Sequence, residues 1–165
     1  MVSRLDGPKR IDMLIRAMQY VKSEIPLYIA GTGPERERLE KLAAGDARIH
    51  FLGYVKDEEV EEYYRNSLVV PYFPYDEDYG YITLEGMAAF KPVITCKDSG
   101  GPLEFIEDGV NGIVSEPTAE ELAGHLDELW MSKSMAAEYG AAAQKKLREM
   151  DITWAHVVEE LMKYA

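Results

Sequence analysis

Short apolar runs alternate with amphipathic stretches along the whole chain. The runs are four or five residues long and rich in Val, Ile, Leu and Tyr, which is typical of buried strands. The stretches between them carry apolar residues at helical spacing, as Ile11, Leu14, Ile15 and Met18 do after the first run. The pattern predicts six strands, at residues 2–5, 27–30, 49–52, 68–72, 93–96 and 113–115.

A helix is predicted after each strand, and this order determines the fold class. Parallel strands need crossover connections, so strands separated by helices favour an α/β protein with a parallel sheet covered on both faces. Right-handed crossovers then predict a doubly wound, Rossmann-like sheet with strand order 3-2-1-4-5-6. We expect a single domain over residues 1–165, with a helical tail from about 118 to 165 broken near Ser132 and near 151–153.

Composition narrows the classes of function. The chain has 165 residues, 47% hydrophobic and 29% charged, as in an ordinary globular protein. A net charge of −12 argues against a nucleic-acid partner, because such partners select a basic face. No apolar run approaches the ~20 residues that span a bilayer. The single cysteine, Cys96, cannot form an internal disulfide, so we expect a cytoplasmic protein with a buried thiol.

Candidate chemistry lies in the loops that follow strands 1 and 4. In an open doubly wound sheet, ligands bind beyond the carboxyl ends of the strands where the order reverses, here between these two strands. Arg4 lies at the end of strand 1 and Lys9 and Arg10 follow it, while an acidic loop at 74–80 follows strand 4 and leads into a helix. Cations and a helix N-terminus suit phosphate, and carboxylates suit sugar hydroxyls. The combination predicts a nucleotide-sugar site.

A set of segments in this order resembles a known family. The segments are residues 3–5, 9–10, 31–34, 51–53, 77–88, 91–94 and 100–104, and the most specific is the E-x7-E pattern formed by Glu77 and Glu85. Together they resemble the C-terminal half of family-4 glycosyltransferases, two-domain enzymes with the GT-B fold. The resemblance covers nearly the whole chain, so we expect one half of such an enzyme, whose N-terminal acceptor domain lies outside these residues.

The resemblance implies catalytic roles for three side chains. Arg4 and Lys9 would hold the donor diphosphate and stabilise the charge on the departing nucleoside diphosphate, a large catalytic effect when cations are fixed in place. Glu77 would contact the hydroxyls of the transferred sugar. The implied reaction moves a hexosyl group, such as mannosyl or glucosyl, from a UDP- or GDP-sugar to an alcohol with retention of configuration. No metal or other cofactor is required.

The resemblance also implies a donor-binding set. Glu85 would accept hydrogen bonds from the ribose, which agrees with the cost of placing an unpaired carboxylate in an apolar helix. The remaining members are the helix-start amides of Gly80, Tyr81 and Ile82, the base-flanking Phe51 and Leu52, Gly31 and Gly33 beside the ligand, and Gly100 and Gly101 facing the donor sugar.

Other interpretations of these residues stay open. Arg4 and Lys9 can be surface cations, Glu77 can belong to a solvated loop, and the glycines can serve tight turns. A glycosidase-type carboxylate pair is disfavoured, since positions eight apart would lie ~12 Å along a continuous helix. The D-x-D pattern at 76–78 resembles a metal motif of another glycosyltransferase fold, but cations and amides already serve the phosphates. His50, His125 and His156 are too widely spaced for a metal or triad pattern.

Two departures from the family pattern are small: Gly86 stands for a usual alanine and Tyr79 for a usual phenylalanine. The larger departure that we expect is the absence of the N-terminal half from these residues. We expect the 165 residues to bind donor nucleotide weakly and to transfer nothing, and any contact with the inner face of a membrane to come through that half. Two alternatives are a nucleotide-sugar 2-epimerase on the same fold, which would isomerise a UDP-sugar without an acceptor, and a stand-alone nucleotide-binding module.

Overall fold

The computed structural model describes residues 1–152 and 162–163 and confirms the α/β class with parallel pairing. The strands are β1 (Leu27–Ala30), β2 (Ile49–Gly53), β3 (Val70–Pro71), β4 (Val93–Cys96) and β5 (Gly112–Ser115). The helices are α1 (Ile11–Met18), α2 (Arg36–Ala43), α3 (Asp57–Asn66), α4 (Tyr81–Ala88), α5 (Pro102–Phe105), α6 (Ala119–Met131) and α7 (Lys133–Glu149), with a 3-10 turn at Gly7–Lys9.

The predicted six-stranded sheet is wrong, because the described residues form five strands in two sheets. One sheet pairs β1 with β2, the other has the order β3-β4-β5, and all pairs are parallel. The segment predicted as strand 1 lies along β1 but contributes only an isolated bridge between Val2 and Ala30. Its backbone bonds there are Ala30 N to Met1 O at 2.9 Å and Ser3 N to Ala30 O at 3.0 Å.

The break falls between the predicted strands 1 and 4, and β3 supplies a physical reason. Val70 and Tyr72 donate their N–H groups to β4, through Pro92 O and Ile94 O. Alternate residues of a strand donate to opposite neighbours, so residue 71 faces the gap, and Pro71 has no N–H to donate. An apolar cavity of about 620 Å³ lies between the two sheets, with Val2 and Val70 in its walls.

Helices cover both faces of the sheet that contains β4, as the sequence predicts, whereas Tyr28 of β1 is exposed. Ile94 and Cys96 of β4 belong to the larger core cluster, which they share with α1 and α6. Val93 points to the other face, where it joins Met87 of α4 and Phe105 of α5. Because side chains alternate along a strand, a fully buried strand such as β4 needs apolar partners on both sides. Burial raises the pKa of the Cys96 thiol to about 12.

The helical tail begins and breaks near the predicted positions. Thr118 caps α6, its side-chain oxygen accepting a hydrogen bond from Glu121 N at 3.4 Å. The chain turns at Ser132 and continues as α7 to Glu149. The helix predicted after residue 153, together with His156, lies outside the described residues. Within the described ranges, no helix is long and apolar enough to cross a membrane.

Candidate functional site

The loops that follow the strands meet at one edge of the two sheets, and backbone hydrogen bonds hold them together. Tyr75 N donates to Pro8 O at 2.8 Å, which connects the loop after β3 with the loop after the first segment. Glu77 N donates to Ser99 O at 3.0 Å, which connects it with the loop after β4. The predicted convergence of these loops is therefore present within the described residues.

Four of the predicted site glycines permit close backbone approaches. A Cβ atom at Gly31 would lie 1.8 Å from the carbonyl oxygen of residue 3, and one at Gly33 would lie 2.2 Å from that of residue 5. At Gly100 and Gly101, a Cβ atom would lie 2.6 Å from the carbonyl oxygens of Glu77 and of residue 78. Loop packing alone thus requires glycine at these positions, and a role toward a ligand remains a prediction.

Lys9 and Glu77 form an ion pair between two of these loops. Their side chains are 20% and 25% exposed, and the ammonium group of Lys9 donates directly to Glu77 Oε2. The hydroxyl of Tyr72, a residue that is 1% exposed, donates to the same Oε2 atom at 3.0 Å. Lys9 Nζ also lies 3.5 Å from the Tyr72 hydroxyl. One oxygen of the carboxylate is therefore fixed by two donors.

The surroundings of Glu77 and Tyr72 keep the carboxyl group ionised and the hydroxyl group protonated. Burial raises the pKa of Glu77, but hydrogen bonds from Lys9 and Tyr72 outweigh it, so the pKa of Glu77 lies below its ordinary value. Burial, together with the neighbouring Glu77 carboxylate, raises the pKa of the Tyr72 hydroxyl well above its ordinary value. At neutral pH, Glu77 is consequently ionised and Tyr72 remains a hydrogen-bond donor.

Arg10 connects two of the loops. Its guanidinium forms two hydrogen bonds with the Asp98 carboxylate, of 2.8 and 2.6 Å, and lies 4.9 Å from the centre of the Tyr75 ring. The backbone of Arg10 is left-handed, with φ 52°, at the residue just before α1. A left-handed backbone conformation is costly for a residue other than glycine. The ion pair offsets part of that cost.

A cleft of about 630 Å³ lies between the first segment, the loops after β1 and β2, and helices α3 and α4, and neither Lys9 nor Glu77 is part of its lining. Arg4 lines it with a side chain that is 73% exposed and only loosely paired with Asp6, at 3.5 Å. Glu85 lines it from α4 and is exposed, contrary to the expected cost of burial in an apolar helix. Glu85 Oε2 accepts a 2.8 Å hydrogen bond from the Tyr64 hydroxyl. The remaining predicted members of this lining are Gly31, Gly33 and Ile82.

The start of α4 borders the same region. Gly80 precedes the helix with φ 84°, and a Cβ atom there would lie 2.8 Å from the ring of Pro102. Tyr81 is 70% exposed. The first amides of any helix lack partners within the helix, so binding of an acceptor by the amides of Gly80, Tyr81 and Ile82 stays a prediction.

Phe51 and Leu52, predicted to flank the base, are not part of the cleft lining. The same holds for six other predicted site residues: Lys9, Glu77, Gly80, Tyr81, Gly100 and Gly101. Phe51 packs against the larger core cluster. Tyr54 and Val55, just beyond β2, line it instead, and Tyr54 is 75% exposed. That Phe51 and Leu52 flank a base therefore stays a prediction.

Among the described residues, no group of three or more His, Cys, Asp or Glu side chains could hold a metal ion. In the D-x-D segment, Glu77 is engaged by Lys9 and Tyr72, while Asp76 and Asp78 are exposed. His50 stacks on Tyr28, with ring centres 4.9 Å apart, far along the chain from the acidic loop.

The tyrosines at the site are the residues that sequence analysis missed. Tyr72 and Tyr64 each donate to one of the two glutamates of the E-x7-E pattern, and Tyr54 lines the cleft. Tyr72 lies 5 residues from Glu77 and Tyr64 lies 21 residues from Glu85, so sequence spacing gives no signal for either contact. Tyr72 could have been suspected, since it ends a predicted strand just before the acidic loop.

Comparison with known proteins agrees with this fold. The chain is 32% identical to an uncharacterized glycosyltransferase of Methanocaldococcus jannaschii, over 96% of its own length and 42% of that protein. It superimposes on Anabaena HepE, solved with UDP and glucose, with a TM-score of 0.87 at 23% identity, over 99% of this chain and 47% of HepE. It also superimposes on the C-terminal domain of the group 1 glycosyl transferase LpcC of Francisella tularensis, with a TM-score of 0.79 at 24% identity. The match covers 92% of this chain and 85% of the LpcC domain.

These likenesses define the class of protein: the chain is a C-terminal domain of a glycosyltransferase with the GT-B fold. It belongs to the glycosyl transferases group 1 family, whose model matches residues 1–146. The chain spans less than half the length of the M. jannaschii relative and of HepE.

Proposed function

We propose that this domain binds the nucleoside diphosphate part of a nucleotide sugar, and that the whole protein is a retaining hexosyltransferase of family 4. The observation that carries the proposal is the content of one sheet edge: two cations, the start of a helix and two carboxylates that each accept a tyrosine hydrogen bond. Arg4 and Lys9 lie on one loop, Glu77 and Glu85 flank the start of α4, and backbone hydrogen bonds hold the loops together. HepE, which has a similar fold, has been solved with UDP.

Each group has a task in the proposed reaction. Arg4 and Lys9 hold the diphosphate with the amides at the start of α4, and stabilise its charge while the bond to the anomeric carbon breaks. The acceptor hydroxyl attacks the anomeric carbon from the same face of the sugar and passes its proton to the departing diphosphate oxygen, so the new bond retains the configuration. Glu77 contacts the sugar hydroxyls and Glu85 the ribose. The proposed reaction uses neither a covalent nucleophile from the protein nor a metal ion.

Calorimetric titration of the chain with UDP, GDP and ADP, each with and without EDTA, tests this proposal. We expect weak binding of one nucleotide that persists in EDTA and is lost in Glu85→Ala and Lys9→Ala. Matched controls remove the same charges from exposed helix positions: Glu58→Ala on α3 and Lys41→Ala on α2 should bind as the wild type does.

The results separate the candidates. Binding that survives both site substitutions would refute the assignment of the cleft. Isomerisation of a UDP-sugar without an acceptor would favour the epimerase alternative. Robust glycosyl transfer by the 165-residue chain would contradict the expectation that the acceptor half is required.

A further inference from the structure

Tyr64 lies behind Glu85, outside the cleft. It is 5% exposed and belongs to the smaller core cluster, and its hydroxyl donates to Glu85 Oε2 at 2.8 Å. Asp57 and Val60, on the same helix, line the cleft, whereas Tyr64 is not part of the lining. Positions 57, 60 and 64 share one face of a helix, so α3 forms a wall of the cleft and also reaches the Glu85 carboxylate from behind.

We propose that Tyr64 is a positioning residue, which orients the Glu85 carboxylate and thereby sets how strongly the site distinguishes a ribonucleotide from its 2′,3′-dideoxy form. The inference rests on the proposed function, in which Glu85 accepts hydrogen bonds from the ribose. It assigns to Tyr64 no contact with the ligand.

The chemistry of the pair supports this role. A carboxylate has two oxygens, and a donor fixed on Oε2 leaves the lone pairs of Oε1 for the hydroxyl groups of a ligand. Burial, reinforced by the Glu85 carboxylate, raises the pKa of the Tyr64 hydroxyl well above its ordinary value, so the donor persists at any working pH. The exposed Glu85 side chain would otherwise sample several rotamers, and ordering it would reduce affinity.

Tyr64→Phe tests the inference, because it removes the hydroxyl and keeps the ring in the core. Tyr63→Phe is the matched control: Tyr63 is the adjacent residue of α3 and is 40% exposed, and the substitution makes the same chemical change. Affinities for UDP and 2′,3′-dideoxy-UDP are measured by calorimetry on the wild type, both variants and Glu85→Ala, with GDP and its dideoxy form in parallel.

We expect Tyr64→Phe to reduce the preference for UDP over dideoxy-UDP by about five- to tenfold, the effect of one weakened hydrogen bond, while affinity for the dideoxy form stays close to the wild type. Tyr63→Phe should leave both affinities unchanged. In Glu85→Ala the preference should vanish, and adding Tyr64→Phe to it should change nothing further.

Other results overturn the inference, alone or with the proposed function. If Tyr64→Phe weakens both ligands equally, or neither, while Glu85→Ala abolishes the preference, Tyr64 has only a structural role and the proposed function stands. If no nucleotide binds, or if Glu85→Ala binds UDP as the wild type does, the proposed function fails and the inference fails with it.

Discussion

The ion pair between Arg10 and Asp98 can be tested as the connection between two loops of the site. Arg10→Ala removes both hydrogen bonds and leaves residue 10 in its left-handed conformation, at φ 52°. A hydrogen bond to a charged group contributes about 1.5–3 kcal/mol, and partial exposure of the carboxylate favours the lower end. We therefore expect Arg10→Ala to lower the free energy of unfolding by about 1.5–2 kcal/mol, measured in urea at neutral pH.

Arg10→Gly separates the ion pair from the backbone conformation. It removes the same hydrogen bonds, but glycine adopts the left-handed conformation without the cost of about 1–2 kcal/mol that other residues incur. Glycine also adds about 0.4–1 kcal/mol of entropy to the unfolded chain, which offsets part of that gain. Arg10→Gly should therefore be more stable than Arg10→Ala by about 0.5–1 kcal/mol.

The pair also predicts a pH dependence. The side-chain hydrogen bonds from Arg10, opposed by burial, hold the pKa of Asp98 below its ordinary value. A carboxylate with a lowered pKa stabilises the fold above its unfolded pKa of about 3.9, and this contribution is lost as the pH falls through the folded pKa. The difference between wild type and Arg10→Ala should be constant above about pH 5 and shrink below about pH 4. Equal stability of the two Arg10 variants, or a difference that persists undiminished in acid, would refute the reasoning.

Further predictions concern packing and the site. Gly33→Ala places a Cβ atom 2.2 Å from a backbone carbonyl oxygen and should lower the free energy of unfolding by about 2–3 kcal/mol or more. Gly124→Ala, in α6 with no atom within 4 Å of the new Cβ, should raise it by about 0.5–1 kcal/mol. Thermal unfolding that ranks the two variants in the opposite order would contradict this. Leu14→Ala, at a 0% exposed position of α1, should lower the free energy of unfolding by about 3 kcal/mol in urea, and a loss below about 1 kcal/mol would be inconsistent with its core position. Burial raises the pKa of Glu77, but hydrogen bonds from Lys9 and Tyr72 outweigh burial and hold the pKa below its ordinary value. Tyr72→Phe removes one of these bonds and should move that pKa upward in a carbon-13 NMR titration; an unchanged pKa would show that the bond is unimportant.

Local periodicity was enough to predict most of the elements, but not how the strands assemble. Val93 and Ile94 show why the elements are predictable: neighbouring residues of a buried strand must both be apolar, because they pack against different helices. The prediction of a single sheet is wrong at Pro71, because proline has no N–H group to donate across the gap to the first segment. Pairing between distant segments depends on such single groups, which a hydrophobic pattern does not distinguish.

The candidate site also has a part that the sequence predicts and a part that depends on tertiary packing. Lys9 meets Glu77, and Arg4 and Glu85 line one cleft, because these residues follow strands whose carboxyl ends share an edge, which topology predicts. The tyrosine that holds Glu85 arrives from α3, 21 residues earlier in the chain, and only tertiary packing brings the two together. The expected cost of burying Glu85 was wrong as a physical argument, since the residue is exposed at the cleft.

The ion pair between Lys9 and Glu77 has a consequence for the lifetime of a complex. The ammonium group that the proposed diphosphate would bind already has a counterion within the protein. Binding is then an exchange of one anion for another, and its free energy is only the difference between the two interactions. In the proposed function, the Glu77 carboxylate would compete with the diphosphate product for Lys9. Such an internal competitor would lower the affinity for the product and favour its release, a step that limits the turnover of many enzymes.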